Sequence, residues 1–339
     1  MNPYTNADAS VLTASPLERG VGVLLDTVWG TVLDAVAGVT GIDMLGFPFM
    51  QRAYLAAICI AVIGPLVGAF LVHREMAMIA DTLAHSAFAG VAAGLFVNAV
   101  YAVAVPPLLS ALVVAAVAAL LVQTLVDYAG AYRDTSLAIV LTGAFAIGSV
   151  LITATGGGIA VGINAYLFGS LATVSRLNAA LLVALSAGVT VGIALAYRPL
   201  VYITFDEIGA RASGIGVKRY NQLLAVLTAV VVIGAMQIMG VILVAAMLVV
   251  PVAAAAQVAR GFREALLASV VLAQIAVLLG ITLSYRYETT AGGTIVLVAV
   301  GVYIGMVIAG RLQSRRSVVE DTGAVTGGIE ADAEESPGD

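Results

Sequence analysis

Runs of about twenty apolar residues, separated by short polar clusters, recur along most of the chain. A helical crossing of a bilayer needs roughly 20 such residues at about 1.5 Å of rise each. On that measure the pattern predicts helices near 54–72, 77–97, 101–126, 137–154, 177–197, 221–238, 239–259, 264–284 and 291–310. The apolar run from Leu223 to Ala259 is too long for one crossing, and Gln237 to Gly240 is the expected break. Residues 156–176 open with Gly156, Gly157 and Gly158 and continue as a short semi-apolar piece, which reads as a re-entrant or interfacial segment. The fold class that follows is all-α, a polytopic transmembrane helical bundle of eight or nine spans.

Composition agrees with the pattern. Hydrophobic residues make up 61% of the 339 and charged residues only 10%, with a mean hydropathy of +1.08. Soluble domains carry roughly 25% charged residues, so a soluble protein is excluded, and the runs are too many and too long for one cleaved signal sequence. The single cysteine, Cys59, rules out an intrachain disulfide or a cysteine metal cluster and reads as a packing residue. Three regions emerge. Residues 1–47 form an N-terminal extension whose aspartates 26 and 34 interrupt an apolar pattern, as an interfacial amphipathic helix would. Residues 48–312 are the transmembrane domain, and residues 313–339 are an acidic tail rich in small residues, expected to be disordered.

The basic residues give an orientation. Arg74, Arg133, Arg198, Arg211, Lys218, Arg219, Arg260, Arg263, Arg311, Arg315 and Arg316 fall on one side of a nine-span arrangement, and Arg19, Arg52, Arg176 and Arg286 on the other. The positive-inside rule makes the first side cytoplasmic, with the N-terminus outside and the C-terminus inside a cell membrane.

Within this apolar background "IADTLAHSAFAGVAAG", residues 79–94, carries Asp81 and His85. Residues i and i+4 share a helix face about 6 Å apart, so the two side chains project together. Ionisable groups in hydrocarbon cost several kcal/mol, which favours a functional cavity over a purely structural pair. A carboxylate with an imidazole suits zinc, manganese or ferrous iron, whereas calcium prefers oxygen ligands alone. One chain supplies two strong ligands, and a two-fold dimer that places two such helices face to face would complete a set of four. One position on, Ser86, Gly90 and Gly94 form a stripe of small residues suited to close helix packing. His73 lies beside Arg74 and Glu75 at a helix end, where an interfacial role is expected. His85 and Ser86 point about 100° apart on a helix, which argues against an intramembrane hydrolase. An ion-driven secondary transporter would need more buried carboxylates than this one.

A source of energy is not visible in the chain. A phosphate-cradling loop needs a lysine followed by serine or threonine, and Lys218, the sole lysine, is followed by Arg219. Nucleotide hydrolysis must therefore reside in another polypeptide. The most polar internal stretch, "FDEIGARASGIGVKRYNQ" at 205–222, reads either as an amphipathic docking helix or as an ordinary solvated loop.

"GPLVGAFLVHREMAMIADTLAHSAFAGVAAGL" resembles the signature region of the permease subunits of metal-ion ABC importers, the zinc and manganese uptake family. "NAYLFGSL" at 164–171, the 205–222 stretch, "IMGVILVAAMLVVPVAAAAQVAR" at 238–260 and "YETTAGGTIVLVAV" at 287–300 are similar too. The likeness covers roughly residues 48–312, with Ala80 standing where the family usually has glycine. It implies a non-catalytic permease, an importer of zinc, manganese or ferrous iron, with no permanently bound cofactor. The implied partners are a second permease copy, cytoplasmic ATPase subunits that use ATP, and an extracytoplasmic solute-binding protein, with lipid around them and no nucleic acid. By this resemblance Asp81 and His85 line the translocation gate, and the coupling helix that meets the ATPase spans about Asp206 to Lys218, including Glu207, Arg211 and Gly214. A same-fold permease for metal chelates or cobalamin is the alternative, and it would not need the Asp81–His85 pair.

Overall fold

The computed structural model describes residues 29–40, 43–101, 105–128, 132–155 and 176–311, with positions 103, 163, 166–169 and 174 between them. The acidic tail from 313 onward and the first 28 residues lie outside the described residues, as does most of the 156–176 segment.

The described chain is helical: α1 (Gly30–Thr40), α2 (Pro48–His73), α3 (Met78–Tyr101), α4 (Pro107–Tyr128), α5 (Arg133–Ala154), α6 (Arg176–Phe205), α7 (Glu207–Ala212), α8 (Val217–Met239), α9 (Val241–Ala256), α10 (Phe262–Tyr287) and α11 (Ala291–Arg311). Seven of these are long and apolar enough to cross a bilayer, and α4 and α9 contribute shorter apolar stretches. Each expected span has its helix.

Contacts between helices fix their directions. Tyr54 on α2 bonds Thr282 on α10 (2.9 Å), the Gln274 amide donates to the Ile58 carbonyl (3.0 Å), and Phe70 packs on Phe262 (5.2 Å), so α2 and α10 run antiparallel. Gly280 lies against Ile295, which turns α11 back again, and Gly310 lies against Gln257 at the end of α9. Gly234 on α8 approaches Leu182 and Leu185 near the start of α6, while Val217 clusters with Ile203 near its end. The chain therefore climbs along α8 and descends along α9. All of that reversal falls on Gly240, whose φ of 82° and ψ of 155° belong to a region essentially confined to glycine. A Cβ there would collide with Leu167 and Gly169. Passes thus alternate through the bundle. Arg74, Arg198, Arg211, Lys218, Arg219, Arg260, Arg263 and Arg311 gather at the end where α2 finishes, with Arg52, Arg176 and Arg286 at the other.

α2 is the central element. It packs against α6, α8, α9 and α10, and its residues from Ile60 to Leu71 are largely buried. Gly68 lets the backbone of Leu248 on α9 sit directly against it. Outward positions such as Val117, Val150, Leu195 and Leu297 are apolar and exposed, as lipid-facing surfaces require. At the N-terminal side, α1 caps the start of α2: the Trp29 indole N–H donates to the Gln51 carbonyl (2.8 Å) and the Gln51 amide to Asp34 (2.8 Å).

Candidate metal site

The site is built on α3, whose first half is buried among α4, α5, α8 and α9. Between Ala80 and Ala92 only Asp81 and His85 are not fully buried. The Asp81 side chain is 40% exposed and that of His85 is 18% exposed. The imidazole Nδ1 lies 3.0 Å from the Asp81 backbone carbonyl and 3.3 Å from its Oδ1. With the proton on Nδ1 to serve those oxygens, Nε2 carries the lone pair that can take a ligand. The carboxylate and Nε2 are then two donors on one exposed edge.

Second-row contacts hold that edge still. The Thr82 hydroxyl donates to the carbonyls of Met78 (3.0 Å) and Leu137 on α5 (3.3 Å), and the buried Ser86 hydroxyl donates to the Thr82 carbonyl (2.7 Å). Phe145 from α5 stands edge-on to the His85 ring at 5.6 Å and stacks on Phe88 at 5.7 Å, forming an apolar wall beside the pair. On the opposite face of α3, Gly90 and Gly94 meet α4. A Cβ at Gly90 would come within 2.6 Å of the Ala111 Cα and 2.7 Å of the Ser110 carbonyl.

The depth of the pair differs from the sequence expectation. An ionisable pair in an apolar run is expected well inside a span, yet Asp81 occupies the first turn of α3. At about 1.5 Å per residue His85 lies roughly 10 Å above the start of the helix. α3 begins directly after a tight turn and continues to Tyr101, which leaves the pair off-centre in the helix. The pair sits near the arginine-rich end.

No group of three or more histidine, cysteine, aspartate or glutamate side chains converges among the described residues. A tetrahedral or octahedral cation bound by Asp81 and His85 needs further donors from water, a backbone or another chain.

The polar stretch 205–222 folds as a short helix between two turns. Asp206 caps α7 by accepting the Gly209 N–H (2.7 Å), and Glu207 pairs with Arg211 one turn on. Gly214, at φ 78°, reverses the chain, and Lys218 then falls in the first turn of α8. Ile208 on the outer face of α7 is 83% exposed. Sequence reasoning missed two features here. Phe145 lies sixty residues from His85, and the Arg74–Glu207 ion pair (3.4 Å) joins positions 133 apart, so no local pattern marked either one.

Residues 46–310 match the ABC 3 transport family. The manganese transport system membrane protein MntC of Halalkalibacterium halodurans is 32% identical over 259 residues, covering 76% of this chain and 86% of that protein. A probable metal transport system membrane protein of Treponema pallidum is also 32% identical, over 78% of this chain and 97% of its own length. Among solved structures, PsaBC from Streptococcus pneumoniae in complex with Fab superposes with a TM-score of 0.70 at 27% identity, covering 78% of this chain and 92% of that one.

Proposed function

Because the chain belongs to the ABC 3 transport family, we propose that it is the membrane-spanning subunit of an importer that moves a divalent transition-metal ion, manganese, zinc or ferrous iron, at the expense of ATP hydrolysed by a separate subunit. The observation that carries this reading is the Asp81–His85 edge, the one partly open place in the buried stretch from Ala80 to Ala92. Two donors of this hardness suit a divalent first-row metal, and a set so small binds weakly enough to release its cargo. A second copy of the chain, meeting the first at the Asp81–His85 edge of α3, brings another Asp81 and His85 and completes the coordination when the dimer closes.

The remaining geometry supports the same division of labour. The arginine-rich end is the cytoplasmic one by the positive-inside rule. There α7 presents Ile208 as an exposed apolar knob between Glu207 and Arg211, suited to a groove on the ATPase subunit, with Asp206, Gly214 and Lys218 shaping its flanks. Closure of two ATPase subunits rocks the permease copies and alternates access to the path. A solute-binding protein delivers the ion at the opposite end.

The test is uptake of radiolabelled Mn2+ and Zn2+, each against unlabelled competitors, in cells that carry the full system and are deficient in other importers. Saturable uptake with a clear competition order supports the reading and names the cargo. Absence of uptake of every divalent ion, with a complex that still assembles, contradicts it.

A further inference from the structure

Four residues separate α2 from α3, and they join the proposed metal pair to the proposed ATPase-facing helix. α2 ends at His73, and the turn is closed by the Glu75 N–H to the Val72 carbonyl (3.1 Å) and the Met76 N–H to the Leu71 carbonyl (2.8 Å). Glu75 holds a left-handed conformation, φ 56°, uncommon outside glycine. Met76 is buried in the core, and α3 starts at Met78 with Asp81 in its first turn. The turn is a stiff link rather than a slack one.

His73, the last residue of α2, and Arg74, the first of this link, grip the entrance to α7. The Arg74 guanidinium, its side chain only 6% exposed, reaches the Glu207 carboxylate at 3.4 Å. The His73 ring meets Phe262 edge-on at 5.0 Å and Phe205 at 6.4 Å, and Phe205 meets Phe262 at 5.7 Å. Phe205 and Glu207 flank Asp206, the cap of α7. An aromatic contact on one side of the cap and an ion pair on the other, to a carboxylate that also pairs with Arg211, tie α7 to the α2–α3 turn at two points. A partner that displaces α7 therefore carries the start of α3 with it.

We infer that Arg74 is a positioning residue that transmits movement of α7 to the Asp81–His85 pair through its ion pair with Glu207. The inference rests on the metal-import reading above. Arg74 touches no cargo; its part is to make the geometry of the pair follow the state of the partner at α7. Interfaces that switch between discrete arrangements need such a connected element to bias them.

The test uses proteoliposomes holding the complete complex, permease with its ATPase subunits, and supplied with the solute-binding protein loaded with Mn2+. Initial Mn2+ uptake and ATP hydrolysis are measured separately for the wild type, Arg74→Gln, Arg74→Lys and Asp81→Asn. Arg74→Gln is decisive, because Arg74 lies outside the ATPase-facing helix, and Arg74→Lys keeps the charge that pairs with Glu207. The expected result is ATP hydrolysis within about 2-fold of wild type in Arg74→Gln, with Mn2+ moved per ATP lowered about 5-fold or more, and a ratio largely restored in Arg74→Lys. A wild-type ratio in Arg74→Gln overturns the inference, and so does a parallel fall of hydrolysis and uptake, which is what a merely structural pair would give. Asp81→Asn separates the two layers: full uptake in that variant removes the metal reading, whatever the Arg74 ratio shows.

Discussion

Gly90→Ala tests how tightly the helix that carries the pair is held. Gly90 faces α4, and an added methyl would lie 2.6 Å from the Ala111 Cα, 2.7 Å from the Ser110 carbonyl oxygen and 3.0 Å from the Ala111 nitrogen. All three are backbone atoms, so no rotamer change relieves them. Carbon contacts settle at about 3.5–4.0 Å, which requires α4 to retreat by about 1 Å. Overpacking of that kind costs about 1–3 kcal/mol. Against it stands the helix preference of alanine over glycine, up to about 1 kcal/mol. Gly188→Ala isolates the packing part: Gly188 lies within α6 with nothing inside 4 Å of the added methyl. The intrinsic gain is common to both variants, so their difference is the packing cost. The assay is thermal unfolding of the purified chain in detergent, followed by loss of the monodisperse peak. At roughly 2 °C per kcal/mol for a large chain, Gly90→Ala should melt about 2–6 °C below Gly188→Ala. Equal melting temperatures would refute the close approach of α3 and α4.

Gly240→Ala should be more severe, because its backbone region excludes side chains and its neighbours are backbone atoms of Leu167 and Gly169; accumulation of folded protein in the membrane checks it, and wild-type levels would place the α8–α9 reversal elsewhere. Tyr54→Phe removes the bond to Thr282 and should cost about 0.6 kcal/mol, read as a melting shift of about 1 °C, and a loss several times larger would show that the hydroxyl does more than join α2 to α10. Ligation by His85 requires neutral imidazole, so Mn2+ uptake should fall as the buffer pH is lowered from about 8 to about 5, and a flat profile in proteoliposomes would argue against the imidazole.

The spans were legible because hydrocarbon imposes a length and a polarity that apolar runs record directly. The break at Gly240 was legible for the same reason: no single crossing accommodates the run from Leu223 to Ala259, and glycine marks the reversal. Helix ends were less so. α6 continues through Arg198 and Pro199 to Phe205, since a chain leaving the membrane keeps its helical bonds after its hydropathy has fallen. Asp81 and His85 stood out as charges in an apolar run, but their depth depended on where α3 begins, which the turn at Glu75 fixes. The partners of the site, Phe145 beside His85 and Glu207 beside Arg74, arise from tertiary packing between distant segments, and local sequence carries no trace of it.

The most direct measurement is Mn2+ transport by the reconstituted complex containing Asp81→Asn or His85→Gln, with ATP hydrolysis and assembly followed in the same samples. If the pair ligates the cargo, both variants assemble and hydrolyse ATP while uptake falls at least about 10-fold, the scale on which even the supporting groups of a metal site register. Uptake at the wild-type rate in both variants would contradict the account, leaving Asp81 and His85 as a structural pair.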